Sequence, residues 1–160
     1  FLYGGSMIEN VTMTAATWAP APRKFEAGVP NMAQAVGLGA ALDYLTALGM
    51  SNVHNHEVLL TKYLIEKLLQ VPELKIVGPT NLDSRGGTVS FTVGEIHPHD
   101  LGQYVDSQGV AVRTGHHCAW PLTRKLGVPA TTRASLYLYN EESDCDALFD
   151  AILGAQKYFA

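Results

Sequence analysis

Cys118 is the residue best placed to do chemistry in this sequence. It follows His116 and His117, lies five positions after Arg113, and sits in a stretch punctuated by Gly115, Pro121, Gly127 and Pro129. Cationic neighbours favour the thiolate over the thiol, and the thiolate is the nucleophile. The bland alternative is a thiol that is merely exposed. The second cysteine, Cys145, falls on an apolar helical stripe, where a free cysteine behaves as a small hydrophobe. The two lie far apart without C-x-x-C spacing, so nothing in the pattern supports a disulfide. Arg133 opens the polar side of an alternating run, and a guanidinium held on a strand can grip a carboxylate through two parallel hydrogen bonds. A solvated charge or a structural ion pair would occupy the same position.

Metal binding is the rival chemistry, since His116, His117 and Cys118 are good zinc ligands and His97 and His99 could complete a set. Three adjacent residues cannot converge on one ion without contorting the backbone, and no second cluster has ligand spacing. No metal is expected. His97-Pro98-His99-Asp100 reads more simply as a helix start, and His54 and His56 as polar positions on a helix.

These residues need elements to position them. Phe1 to Lys24, with Gly4-Gly5 and Ala19-Pro20-Ala21-Pro22, reads as loop. A helical period over 33–48 ends at Gly49, and Ser51 is expected to cap a second helix whose stripe is Val53, Leu60, Leu64, Leu68 and Val71, stopped by Pro72. Short strands are expected over 74–77 and 88–93. In the latter, Val89, Phe91 and Val93 face one way. Pro98 should open a helix to Ser107, closed by Gly109, with strand resuming over 110–113. Residues 114–129 read as a connecting loop with at most a helical turn, and 132–139 as a strand. Asn140 is expected to cap a last helix with the stripe Cys145, Leu148, Ile152, Ala155 and Phe159, and with acidic residues in its first turn. The fold class is α+β, helices packed on a small, mostly antiparallel sheet.

Length and composition agree with a folded domain: 160 residues, 47% hydrophobic and 16% charged. The net charge of -4, with eleven scattered Lys and Arg, makes no electrostatic case for nucleic acid. No apolar run is long enough to cross a bilayer, and the first residues lack a secretory layout, so the expected location is the cytoplasm.

Taken together, Arg113-Thr114-Gly115-His116-His117-Cys118-Ala119-Trp120-Pro121-Leu122 followed by Thr132-Arg133-Ala134-Ser135-Leu136-Tyr137-Leu138-Tyr139-Asn140 resembles the C-terminal region of the Suf-type cysteine desulfurases of the class V aminotransferase superfamily. Gly4-Gly5-Ser6-Met7-Ile8, Phe25-Glu26-Ala27-Gly28-Val29-Pro30-Asn31 and Val36-Gly37-Leu38-Gly39-Ala40-Ala41 extend the resemblance over essentially the whole chain. It implies the small C-terminal domain of the aspartate-aminotransferase-like fold of pyridoxal-phosphate enzymes. Residues 1–32 would be a segment of the cofactor-binding large domain, and 33–160 a helix linker and the small domain. It further implies a homodimer that converts L-cysteine to L-alanine and supplies sulfur, through a Suf-type acceptor protein, for iron–sulfur cluster assembly.

By the same resemblance Cys118 carries the persulfide, Arg133 binds the substrate carboxylate, and Arg113 and His116 line the pocket. Asn31 and Met32 would offer backbone to the partner subunit's cofactor phosphate, since a Met32 thioether cannot replace the hydroxyl some members carry there. Trp120 stands where many members have Gln or Met, which would make the wall beside the thiol bulkier. The lysine that forms the Schiff base is not in this chain, so no covalently held pyridoxal phosphate is expected and the 160 residues alone are expected to be inactive. Selenocysteine lyase, another class V enzyme, and a non-catalytic thiol-bearing interaction module remain as alternatives.

Overall fold

A computed structural model describes residues 3–83 and 85–160. The chain divides into two compact units, Phe1–Ala47 and Leu48–Ala160.

The first unit corrects the expectation of loop over 1–24. Of that stretch, Phe1 and Leu2 lie outside the described residues. After a 3₁₀ turn at Gly5–Met7, β1 (Ile8–Val11) and β2 (Ala16–Trp18) form an antiparallel hairpin, and a second 3₁₀ turn occupies Arg23–Phe25. The hairpin turn is closed through Thr12, whose N–H donates to the Ala15 carbonyl at 2.8 Å while its Oγ1 accepts from the Ala15 N–H at 3.0 Å. A hydroxyl that satisfies the turn's own backbone replaces the Asn-Gly signal that normally marks a hairpin. Helix α1 (Met32–Leu48) follows, one residue longer than expected and with no buried residue.

In the second unit α2 (Met50–Leu68) starts after Gly49, whose φ of 82° breaks the chain direction. Gly49 is the N-cap and Ser51 lies inside the first turn, so the expected serine cap is not formed. The stripe Val53, Leu60, Leu64 and Leu68 is buried, and Val71 with it. Strands β3 (Leu74–Val77) and β4 (Thr88–Val93) take their expected bounds, and so does α3 (Pro98–Ser107), capped by His97 through a 3.2 Å bond from the His99 N–H.

Three boundaries move. The strand expected over 110–113 is β5 at Arg113–Gly115; the expected loop over 114–129 contains the end of β5 and α4 (Trp120–Lys125); and the strand expected over 132–139 is β6 at Thr131–Ser135. Pairing decides the strand limits, because β5 meets a partner only over Arg113–Gly115 and β6 has partners on β4 or β5 only over Thr131–Ser135. Gly87 shows how closely β6 leaves its neighbour: its carbonyl accepts from the Leu136 N–H, and a Cβ there would lie 2.4 Å from the Leu136 carbonyl oxygen.

Helix α5 (Glu142–Tyr158) is capped by Glu141, not Asn140. Glu141 and Asp144 form a capping box, while Asn140 accepts from the Tyr137 N–H and donates to Asp144. Of its expected stripe, Cys145, Leu148, Ile152 and Ala155 are buried, but Phe159 lies beyond the last turn and is 43% exposed.

The four-stranded sheet is wholly antiparallel in the order β3-β4-β6-β5. Val89, Phe91, Val93 and Ala134 join Leu60, Leu64, Leu68, Leu101, Val105, Leu148 and Ile152 in one core, so α2, α3 and α5 cover a single face of the sheet. Period-2 alternation sends Ser90 and Arg133 to the other face. The domain is α+β, as expected.

Candidate active site

The uncovered face of the sheet carries the site. Strand β6 is interior, flanked by β4 and β5, so Arg133 is not on a strand edge; it pairs with Ser90 on one side and Arg113 on the other. Residues directly opposite in an antiparallel pair project from the same face, and like charges there repel. No carboxylate among the described residues forms an ion pair with either arginine, and Arg133 Nε is buried without a hydrogen-bond partner. Two arginines held opposite one another in register, one with an unused buried donor, make a cationic face suited to a carboxylate.

Cys118 is carried to this face by a tight turn. The Ala119 N–H donates to the His116 carbonyl at 2.8 Å, and the two residues between have positive φ, 52° at His117 and 62° at Cys118. That pair of signs is the one a type I′ turn requires, which usually selects Asn and Gly. For residues bearing a Cβ the left-handed region costs about 1–2 kcal/mol each, so the turn depends on its surroundings. Cys118 is exposed, and Arg113 Nη2 donates to its Sγ at 3.6 Å.

The neighbours are ordered too. His116 stacks on the Trp120 ring with centroids 3.7 Å apart and planes 12° from parallel, and the Arg124 guanidinium lies 5.3 Å from the same ring. His117 turns the other way and shares a 2.8 Å hydrogen bond between Nε2 and Thr131 Oγ1. Burial, followed by the charges of Arg133 and Arg113, lowers the His117 pKa below the usual histidine value, so its ring stays neutral near pH 7. Helix α3 holds β5 through a 3.2 Å bond between His99 Nδ1 and Thr114 Oγ1. Cys145 is a core residue: burial and then the acidic residues around it, Asp144 first, push its thiol up to about 11.

Arg113, His116, Cys118 and Arg133 thus come together within the second unit. Asn31 and Met32 belong to the first, where the Met32 N–H donates to the Pro30 carbonyl at 2.8 Å, the Asn31 carbonyl accepts from the Ala35 N–H at 3.0 Å, and the Met32 side chain is exposed. Among the described residues, no cluster of His, Cys, Asp and Glu could hold a metal ion. His56 Nε2 shares a 3.0 Å bond with the Asn140 carbonyl, a structural tie.

The aminotransferase class-V family model matches residues 1–148. The chain belongs to aminotransferase class V. Among curated relatives it is 56% identical to a probable cysteine desulfurase of Streptomyces coelicolor, over 99% of this chain and 38% of that protein. It is 50% identical to a cysteine desulfurase of Haloferax volcanii, over the whole of this chain and 37% of that one. The chain therefore spans a little over a third of the length of these relatives. Among solved structures, it superimposes on the cysteine desulfurase CsdA of Escherichia coli with a TM-score of 0.82 at 32% identity, covering 99% of this chain and 39% of that one. The apo cysteine desulfurase of Thermococcus onnurineus gives the same TM-score at 36% identity, covering 98% of this chain and 39% of that one.

Sequence reading of this class V chain missed two features of the site, the His117–Thr131 bond and the pairing of Arg113 with Arg133. Neither had a sequence signal of its own. The first joins residues fourteen apart and the second residues twenty apart, and only strand register brings them opposite one another.

Proposed function

We propose that the chain is the C-terminal part of a cysteine desulfurase in which Cys118 takes the sulfur of L-cysteine as a persulfide and the carbon skeleton leaves as L-alanine. The observation that carries this reading is the placement of an exposed thiol, on a left-handed turn, 3.6 Å from one of two cross-strand guanidiniums. The 50–56% identity to desulfurases supports it.

Each residue then has a task. Arg133, with its buried unpartnered Nε, receives the substrate carboxylate; Arg113 adds charge to that face and donates to Cys118 Sγ. His116, stacked on Trp120, forms a flat wall beside the thiol. The cofactor of this reading is pyridoxal phosphate, which when bound activates the substrate carbon. The orphaned Arg133 donor fits an amino-acid substrate of such a cofactor, and Asn31 with the Met32 backbone at the start of α1 would face the partner subunit's cofactor phosphate in a homodimer. In this reading residues 1–32 belong to the large domain and 33–160 to the linker and small domain. The lysine that binds the cofactor lies elsewhere in the full-length protein, and these 160 residues alone release no alanine. The enzyme works in the cytoplasm and passes sulfur to a Suf-type acceptor for iron–sulfur cluster assembly. No helix among the described residues is long and apolar enough to cross a membrane.

The test is Cys118→Ala in the full-length protein, assayed for alanine release from cysteine and from selenocysteine and checked for bound cofactor by its visible absorbance. The expected result is loss of cysteine turnover with the cofactor retained and part of the selenocysteine turnover kept, because selenium needs less help to leave. Full cysteine turnover by the variant would sink the assignment of Cys118.

A further inference from the structure

The turn that presents Cys118 combines two left-handed residues, neither of them glycine or asparagine, with an exposed position. Its own closing bond, from the Ala119 N–H to the His116 carbonyl, fixes the turn's shape but not its attitude to the sheet. The Arg113 contact to Sγ is long and made by an exposed side chain. The His116–Trp120 stack joins residues four apart and so is local. Among the described residues, the side-chain hydrogen bond that reaches from the turn to the interior strand β6 is the 2.8 Å bond between His117 Nε2 and Thr131 Oγ1. Thr131 is 2% exposed although it shares the uncovered face of β6 with Arg133, and His117 Nδ1 is buried as well.

We propose that His117 is the positioning residue of the thiol: through Thr131 it clamps the left-handed His117–Cys118 pair onto β6, and so holds Cys118 Sγ over the Arg113–Arg133 face. The proposal rests on the reading of Cys118 as the reacting thiol, but its geometric content stands apart from the reaction. A neutral imidazole suits the task, because a charged ring beside Arg133 and Arg113 would be repelled from the place where it makes its bond. His116 is the remaining titratable group facing it, and its charge acts in the same direction. The hydroxyl of Thr131 is the other half of the clamp. Replacing it by a methyl in Val leaves the side-chain shape and removes only the bond.

The experiment compares alkylation of Cys118 by iodoacetate and by iodoacetamide in the full-length protein without substrate, located by peptide mass spectrometry. The ratio of the two rates reports how near Sγ lies to the guanidiniums, since only iodoacetate is an anion. Thr131→Val and His117→Ala are each expected to lower the ratio about fivefold, the factor given by losing one charge contact of about 4 Å in water. Thr131→Ser and His117→Gln should restore most of it, the glutamine amide standing in for Nε2. In the turnover assay the same two damaging variants should lower kcat for cysteine and leave KM near its starting value, since Arg133 is untouched. Thr131→Val answers even if His117→Ala fails to fold. An unchanged ratio in Thr131→Val overturns the clamp, as does a fall that Thr131→Ser does not reverse. These alkylation results are independent of whether Cys118→Ala abolishes cysteine turnover, so failure of the clamp and failure of the desulfurase reading remain separable.

Discussion

The two cysteines show what environment does to one functional group. At pH 7 a thiol that titrates at about 11, as Cys145 does, is ionised in roughly one molecule in ten thousand, and it is also closed off by the core. Cys118 is open and faces a guanidinium. A brief pulse of iodoacetamide at pH 7 is therefore expected to label Cys118 more than about 100-fold faster than Cys145, as read by peptide mapping. Comparable labelling would remove the argument from microenvironment. Arg133 yields a second expectation. In the full-length enzyme Arg133→Ala should raise KM for cysteine by roughly 10- to 100-fold, the equivalent of a charge-assisted bond of about 1.5–3 kcal/mol. An unaltered KM with a large loss of thermal stability would make the residue structural.

One polar cluster ties α2 to α5. Lys67 Nζ lies 2.7 Å from Asp146 Oδ1, and Tyr63 donates to the same oxygen at 2.9 Å. The bond to Lys67, then that to Tyr63, holds the Asp146 carboxyl below the usual carboxylate range, while Asp146, followed by Tyr63, raises Lys67. A carboxylate with a depressed folded pKa adds stability that is present above its unfolded value, near 4, and is lost as pH falls through the folded one. The lysine's share is present below about pH 10 and is lost above it. Asp146→Asn should thus be less stable than the parent at pH 7 by a small margin, because both partners are only half-buried and water screens the pair, and the margin should close as the pH is lowered into the carboxylate range. Urea midpoints at a series of pH values would show it. A margin independent of pH would mean that packing, not charge, is responsible. The helices of this layer were legible in advance: α2, α3 and α5 have apolar residues at helical spacing, α2 and α3 have a proline or glycine at an end, and α5 has acidic residues in its first turn. The caps were not, since Glu141 and Gly49 took positions that the more usual Asn140 and Ser51 were expected to hold.

On the scale of the whole molecule the two units differ in how they are held. In the second, Val89, Phe91 and Val93 are fully buried between strands and helices, and Leu64, Leu68 and Ile152 close over them. In the first, the β1–β2 hairpin buries none of its residues and α1 buries none either. Opening free energy follows local burial. Amide exchange is expected to be slowest in β4 and α5 and faster in the hairpin by at least about tenfold, as hydrogen-exchange mass spectrometry would resolve. Hairpin amides as protected as those of β4 would contradict this distribution of stability.

Sequence by itself determined the amphipathic helices, the alternating strand β4, the α+β class, the contrast between Cys118 and Cys145 and, through its motifs, membership in class V. Each of these is written in the spacing of residues a few positions apart, where helix and strand periods act. Tertiary structure alone decided that Arg113 faces Arg133, that His117 reaches Thr131, that residues 8–18 pair as a hairpin, and where β5 and β6 stop. Those outcomes depend on strand register and on positive backbone angles, which bring distant residues together and leave no periodic trace in the chain. The same reason explains α4, which forms within a stretch that Gly115, Pro121, Gly127 and Pro129 make look like loop. Pro121 falls in its first turn, where the missing N–H costs nothing, and Gly127 follows its end with φ of 68°.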